Sequence, residues 1–326
     1  MLITFCLCSF YDSQSTYKNN VTTIFLEGFH NLGKLNLLLF TLLLFIYIGT
    51  ICGNLLNIAL VSYSKTLHSP MYFLLSHLSI SDIMLTTDIA PNMLKLVLHE
   101  QASISFISCI TQFYFFSFSG TSECLLLMVM AYDRYLAICS PLHYASIMNH
   151  MLSIKLILAS WLLSCIVALI LTLGISQLQF CGPNTIEHFY CDLYPLVQLS
   201  CSDVSIVEME TTLLCIPVVV IPLFVIIVSY TYIVSAILKI SSVSGRRKTF
   251  STCSSHLTVV SIFYGTLSAI YVIPNEGQSE VISKILALLY TVFIPFLNPF
   301  IYSLRNKDMK AALRNICMTI AELIKD

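Results

Sequence analysis

The sequence predicts an all-α membrane protein: a seven-transmembrane helix bundle with a short amphipathic C-terminal helix on the inner leaflet. Three observations carry this. The 326-residue chain is 57% hydrophobic and 10% charged, with mean hydropathy +0.85, far too apolar for a soluble domain of this length. Seven mostly apolar runs are each long enough to cross a hydrocarbon core of roughly 30 Å. The basic residues then choose an orientation. With the N-terminus outside, Lys65, Arg134, Lys155, Lys239, Arg246, Arg247, Lys248, Arg305, Lys307, Lys310, Arg314 and Lys325 are cytoplasmic, against Lys18, Lys34, Lys95 and Lys284 outside, a division that follows the positive-inside rule. The net charge of −1 conceals this asymmetry and gives no footprint for nucleic acid.

Residues 1–34 are expected to form an extracellular segment, 35–304 the membrane domain and 305–326 a cytoplasmic tail. Met1 to Phe10 is apolar but lacks a basic n-region and a long h-region, so the first crossing is read as the anchor rather than a cleaved signal. Asn20-Val21-Thr22 is a glycosylation sequon on the outer side.

The first run, Leu35 to Tyr63, carries Gly53-Asn54 at its middle. A small residue permits close helix approach, and an amide in hydrocarbon needs a partner inside the bundle. The second, Met71 to Leu98, follows Pro70, which suits a first helical turn, and contains Asp82 and Asp88. The third, Cys109 to Cys139, contains Glu123 in mid-membrane and closes on Asp133-Arg134 at the inner face. Arg134 on its own equally suits a residue that snorkels to lipid phosphates. Asp82 and Glu123 place two carboxyls in hydrocarbon with no nearby Lys or Arg in sequence. They either hydrogen-bond to bundle groups such as Asn54 and Asn298, or share a sodium ion or proton.

After the fourth run, Ile154 to Leu173, the outer loop holds Cys181, Cys191 and Cys201, with Cys109 on the same face. Four cysteines in an oxidising compartment allow three pairings. His188 to Asp192 offers soft metal ligands, but a cysteine in a disulfide cannot ligate. Cys124, Cys165 and Cys215 read as small core hydrophobes. The fifth run, Thr211 to Leu238, includes Pro217 and Pro222, which permit bends, and Tyr230 near its inner end. A short inner loop with Gly245-Arg246-Arg247-Lys248 precedes the sixth run, Phe250 to Ile273; the cluster suits a topology determinant or a protein-docking surface. The seventh run, Ile282 to Tyr302, ends in Asn298-Pro299, a hinge candidate, and Asn306 to Ile316 alternates basic and apolar residues as an amphipathic helix on lipid would.

Taken in order, these stretches resemble the odorant-receptor branch of the rhodopsin-like G-protein-coupled receptors, over about Asn20 to Asn315. The residues that carry it are Gly53-Asn54, Leu67 to Leu74 through Asp82, Met130 to Cys139, Phe180-Cys181-Gly182 with His188 to Asp192 and Leu199 to Asp203, Lys248 to Leu257 with Phe263 to Thr266, and Pro295 to Asn306. The outer loop is similar to the class II, tetrapod-type receptors; Leu136, where valine is commoner, and Asp88 depart from the pattern. The resemblance implies disulfides between Cys109 and Cys191 and between Cys181 and Cys201, and a cytoplasmic switch of Asp133 and Arg134 toward which Tyr230 and Tyr302 rearrange. It also implies a plasma-membrane receptor without catalysis, whose partners are a small volatile ligand, a stimulatory heterotrimeric G protein of the olfactory type and membrane lipids. No cofactor is expected beyond a candidate sodium ion at Asn54, Asp82, Glu123 and Asn298.

The ligand is expected in the outer half of the bundle. Phe113, Phe116, Ser117, Gly120, Thr121 and Cys124 share a face of the third run, as do Tyr264, Leu267, Ser268 and Tyr271 on the sixth, with Cys215 added from the fifth. Aromatic walls with a few hydroxyls, no Lys or Arg on either face and the room left by Gly120 suit a neutral molecule, with Tyr271 as its hydrogen-bond partner. Asp88 is the residue that points instead to an amine. A transporter or channel is disfavoured by the absence of repeats or a line of charges. An amine receptor lacks an acid on the outer third run, and a retinal receptor lacks a mid-membrane lysine on the seventh.

Overall fold

The structure, a computed structural model, describes residues 21–28, 35–99, 101–181, 184–272 and 280–323. The sequon at Asn20 lies outside them. Among the described residues, six helical spans are long and apolar enough to cross a membrane: Leu35–Tyr63, Phe106–Cys139, His150–Ser176, Ser205–Leu238, Cys253–Ile270 and Ile282–Ser303. The remaining expected crossing, second in chain order, is the helix Pro70–His99, which has the length but not the hydropathy. Ser76, Ser79, Ser81, Asp82 and Thr86 make it polar, and all are buried by neighbouring helices rather than exposed to lipid.

In chain order the strand β1 (Thr23–Glu27) precedes α1 (Leu35–Tyr63) and α2 (Pro70–His99); β2 (Gln101–Ser105) then leads into α3 (Phe106–Cys139). The Ser105 hydroxyl caps α3 by accepting from the Ser108 amide at 3.0 Å. The short inner helix α4 (Pro141–Ile147) joins α3 to α5 (His150–Ser176), which Asn149 caps through the Leu152 amide at 2.9 Å. β3 (Thr185–Ile186) and α6 (Leu193–Gln198) lie in the outer loop.

The fifth crossing is α7 (Ser205–Cys215) and α8 (Ile221–Leu238), joined by a π-helical turn over Ile216–Val220. That turn is how the bend expected at Pro217 and Pro222 is made, since proline withdraws an amide from the ladder. The sixth crossing, α9 (Val243–Val272), starts seven residues before the expected Phe250. The basic cluster at Arg246 and Arg247 therefore sits on helical turns and not in a loop. Lys and Arg are good helix formers, and the Gly245 amide is taken up by the Ser242 hydroxyl at 3.0 Å. The seventh crossing is α10 (Glu280–Leu288), a second π turn over Leu289–Phe293 ahead of Pro295, and α11 (Ile294–Arg305). Asn306 then breaks the helix before α12 (Lys307–Leu323).

α3 lies at the centre, packed on α2, α5 and α8, while α1 packs on α2 and α11. Gly53 lies at the close α1 to α11 contact, where a Cβ would sit 3.0 Å from the Pro299 ring. On the outside, β1 is the middle strand of a three-stranded sheet in the order β2-β1-β3.

Candidate functional site

Three groups of side chains, stacked from the outer face to the inner, hold the expected site residues. In the outer half, Phe113 and Phe116 are buried on α3, and Tyr190 of the outer loop descends onto Phe116 with ring centroids 4.9 Å apart. Tyr290 approaches Phe116 at 6.1 Å and Phe263 of α9 at 5.6 Å. Thr121, Tyr264 and Leu267 are buried and Ser117 and Gly120 half-buried on the same region.

Gly120 does not leave free room: a Cβ there would meet the Tyr290 hydroxyl at 2.5 Å, so a tyrosine of the seventh crossing occupies the gap. Ser268 gives its hydroxyl to the Tyr264 carbonyl at 2.6 Å, a bond within its own helix. The Tyr264 hydroxyl lies beside the Cys124 thiol and makes no well-formed hydrogen bond. Cys215 is disulfide-bonded rather than a simple apolar side chain. Tyr271 lies in α9 by its backbone, and its side chain is outside the described set. Two cavities stand out, of about 230 Å³ between His68, Phe73, Tyr144 and His150 and about 450 Å³ along Lys310, Arg314 and Met318; both are on the cytoplasmic side, away from this face.

The outer loop is fixed over this layer. Cys109 is bonded to Cys191 and Cys181 to Cys201. With Cys191 in a disulfide, the His188 to Asp192 stretch loses its soft ligand, and no group of three or more His, Cys, Asp or Glu gathers among the described residues. Gln112 of α3 ties the loop to α2: its Oε1 accepts from the Cys191 amide at 3.0 Å and its Nε2 donates to the Asp88 carbonyl at 2.9 Å. Asp88 Oδ2 is buried without a hydrogen-bond partner. His188 is buried against the rings of Phe189 and Tyr190 at 4.6 and 4.5 Å. Burial, then the nearby Lys284 ammonium, pushes its imidazole down to about 3, so the ring is neutral. Burial holds the Asp192 carboxyl above its usual range, although it accepts from the Leu193 amide at 2.7 Å.

At mid-membrane, Asn298 Nδ2 donates to both Asp82 oxygens at 3.0 and 3.1 Å, and the Ser81 and Ser122 hydroxyls share a bond of 2.6 Å. Asn54 does not join Asp82; its amide goes to the Thr50 and Pro295 carbonyls, each at 3.1 Å. That second bond satisfies a carbonyl that Pro299 leaves without its helical donor. Glu123 is buried beside Asp82, and both of its oxygens lack hydrogen-bond partners.

At the inner face, Arg134 Nε donates to its neighbour Asp133 at 2.9 Å, and the Tyr144 hydroxyl donates to the other Asp133 oxygen at 2.8 Å. The Tyr230 hydroxyl is bonded to His256 Nδ1 at 2.7 Å, with the rings stacked. The Tyr302 hydroxyl is buried and unpartnered. Tyr144, His256 and Tyr290 were not among the expected site residues. His256 has the clearest signal in sequence, an imidazole inside an apolar run one helical face from the inner end.

A family model described as olfactory receptor matches residues 43–319 of the 326. The chain belongs to the olfactory receptor family. It is 49% identical over 298 residues to olfactory receptor 11L1 of Homo sapiens, covering 91% of this chain and 92% of that one. It is 47% identical over 294 residues to olfactory receptor 5P58 of Mus musculus, at 90% and 91% coverage. Squid rhodopsin superposes with a TM-score of 0.67 over 87% of each chain at 20% identity, which fixes the fold alone. This olfactory receptor is thus a multi-pass plasma-membrane protein of the G-protein-coupled class and not an enzyme.

Proposed function

We propose that this olfactory receptor binds a small neutral volatile molecule in the outer half of the bundle and activates a stimulatory heterotrimeric G protein of the olfactory type. The observation that carries the ligand class is the layer of Phe113, Phe116, Tyr190, Phe263, Tyr264 and Tyr290, an aromatic wall with hydroxyls. Such a surface rewards burial plus one or two hydrogen bonds, which suits alcohols, ketones, esters or aromatics of roughly ten heavy atoms. Lys284, a cation on the outer side, is already bonded to a backbone carbonyl. The unpartnered Asp88 oxygen favours a second reading, a volatile amine.

A matched panel of neutral odorants, short acids and volatile amines on wild type, Tyr271→Phe and Asp88→Asn separates the two. Neutral odorants should act on wild type and Asp88→Asn alike, with potency about tenfold weaker in Tyr271→Phe, the effect of one lost hydrogen bond. Responses confined to amines and lost only in Asp88→Asn would reverse the assignment.

The mid-membrane acids fit a sodium ion: Asp82 and Glu123 supply charge, Glu123 has two free acceptor oxygens, and Ser122 and Asn298 add neutral ones. A cation bound there in the inactive state shifts the equilibrium only through its differential affinity for the two conformations. Asp82→Asn and Glu123→Gln should therefore change basal cAMP by about fivefold and remove its dependence on sodium. Sodium dependence that survives both substitutions would mean that no ion sits between these carboxyls.

A further inference from the structure

A strand with no counterpart among the elements expected from the sequence lies at the outer end of the bundle. β1 pairs antiparallel with β2 over five residues, from Thr23 opposite Ser105 to Glu27 opposite Gln101, and parallel with β3 over Phe25 and Leu26. Its pattern is that of a strand with one buried face. Ile24 and Leu26 are fully buried, while Thr23, Phe25 and Glu27 are partly exposed. The strand is thereby attached to the segment entering α3 and to the outer loop that carries the Cys109 to Cys191 disulfide. Phe25 donates its amide to the Asn184 carbonyl at 2.7 Å, and the Asn184 amide returns to the Thr23 carbonyl.

Its end is held by one side chain from far along the sequence. Lys284 of α10 donates from Nζ to the Gly28 carbonyl at 2.9 Å and is only 5% exposed. Gly28 itself lies flat on α2, where a Cβ would stand 2.9 Å from the Leu96 Cβ. A long, flexible ammonium ordinarily stays hydrated; here it is buried under the strand and beside the neutral His188 ring. So β1 joins α2, the outer loop and the seventh crossing, and Lys284 is the link to the last of these.

We infer that β1 is a strap over the outer end of the bundle, latched by Lys284, and that its release admits solutes from the aqueous side to the aromatic layer beneath. This rests on the ligand lying in the outer half as proposed above, but its test uses no odorant. The strap's own opening is read by amide hydrogen exchange of residues 23–28 in the full-length receptor in lipid nanodiscs, wild type against Lys284→Met. Access beneath it is read by the rate at which a membrane-impermeant cationic methanethiosulfonate reacts with Ser117→Cys on α3, after subtraction of the rate in the same receptor without that cysteine. Loss of the latch should raise both rates about tenfold, as expected when a local opening becomes easier by a single strong bond. Gly28→Ala, which drives the strand against Leu96, should do the same and serves if Lys284→Met does not fold. Unchanged exchange in both variants would show that Lys284 and Gly28 latch nothing. Faster exchange with unchanged labelling would show that β1 is not the barrier.

Discussion

An Arg134→Ala receptor is expected to reach the cell surface and to raise cAMP about a hundredfold less than wild type at saturating odorant. Arg134 is the one basic residue on α3, at the inner face, with its side chain 14% exposed. Its guanidinium is held by Asp133, whose second oxygen is held in turn by Tyr144, and Tyr230 is turned away to His256. On the switch proposed here, a conformational change would free Arg134 from Asp133 and make the Tyr230 and Tyr302 hydroxyls available to it. Truncating the side chain removes the group on which the proposed open state depends and leaves the apolar packing of α3 in place, so loss of signal should come without loss of protein. Surface immunolabelling alongside the cAMP assay separates the two.

A Cys191→Ser receptor should fail earlier, at folding. The Cys109 to Cys191 bond spans 82 residues of sequence, and closing a loop of that size restrains the unfolded chain by about 4 kcal/mol on the loop-entropy model. Against a typical native stability of about 5–15 kcal/mol that is a large fraction. The loss is also local, since Cys191 is where Gln112 couples the outer loop to α2 and where Tyr190 is set onto Phe116. Surface protein should fall to a small fraction of wild type, and receptor extracted in mild detergent should melt at a lower temperature. Wild-type surface level in Cys191→Ser would mean that Gln112 and the strands hold the loop without the bond.

The crossings were legible because lipid imposes a length and an apolarity that few other constraints imitate, and so was the place of Arg134 at the inner face, because a charge at the end of such a run has few places to go. α2 has the length of a crossing without its hydropathy, as its Ser76, Ser79, Ser81, Asp82 and Thr86 side chains are buried inside the bundle. What the sequence hid depends on pairings distant along the chain. Lys284 reads as an outer-side cation at the start of the seventh run, yet its partner is Gly28, 256 residues away. Gly120 reads as empty space, yet Tyr290 fills it. Asn54 reads as a partner of Asp82, yet Pro295 offers it a carbonyl and Asn298 takes the acid. β1 is five residues long and gains its partners only when β2 and β3 are brought over the bundle.

The central claim is that a volatile ligand in the outer half drives nucleotide exchange at the inner face. Purified receptor in nanodiscs, mixed with a stimulatory heterotrimeric G protein of the olfactory type, should accelerate uptake of a non-hydrolysable GTP analogue when a neutral odorant active in cells is added. Uptake that no odorant of the panel accelerates, although the same receptor preparation is folded and disulfide-bonded, would contradict it.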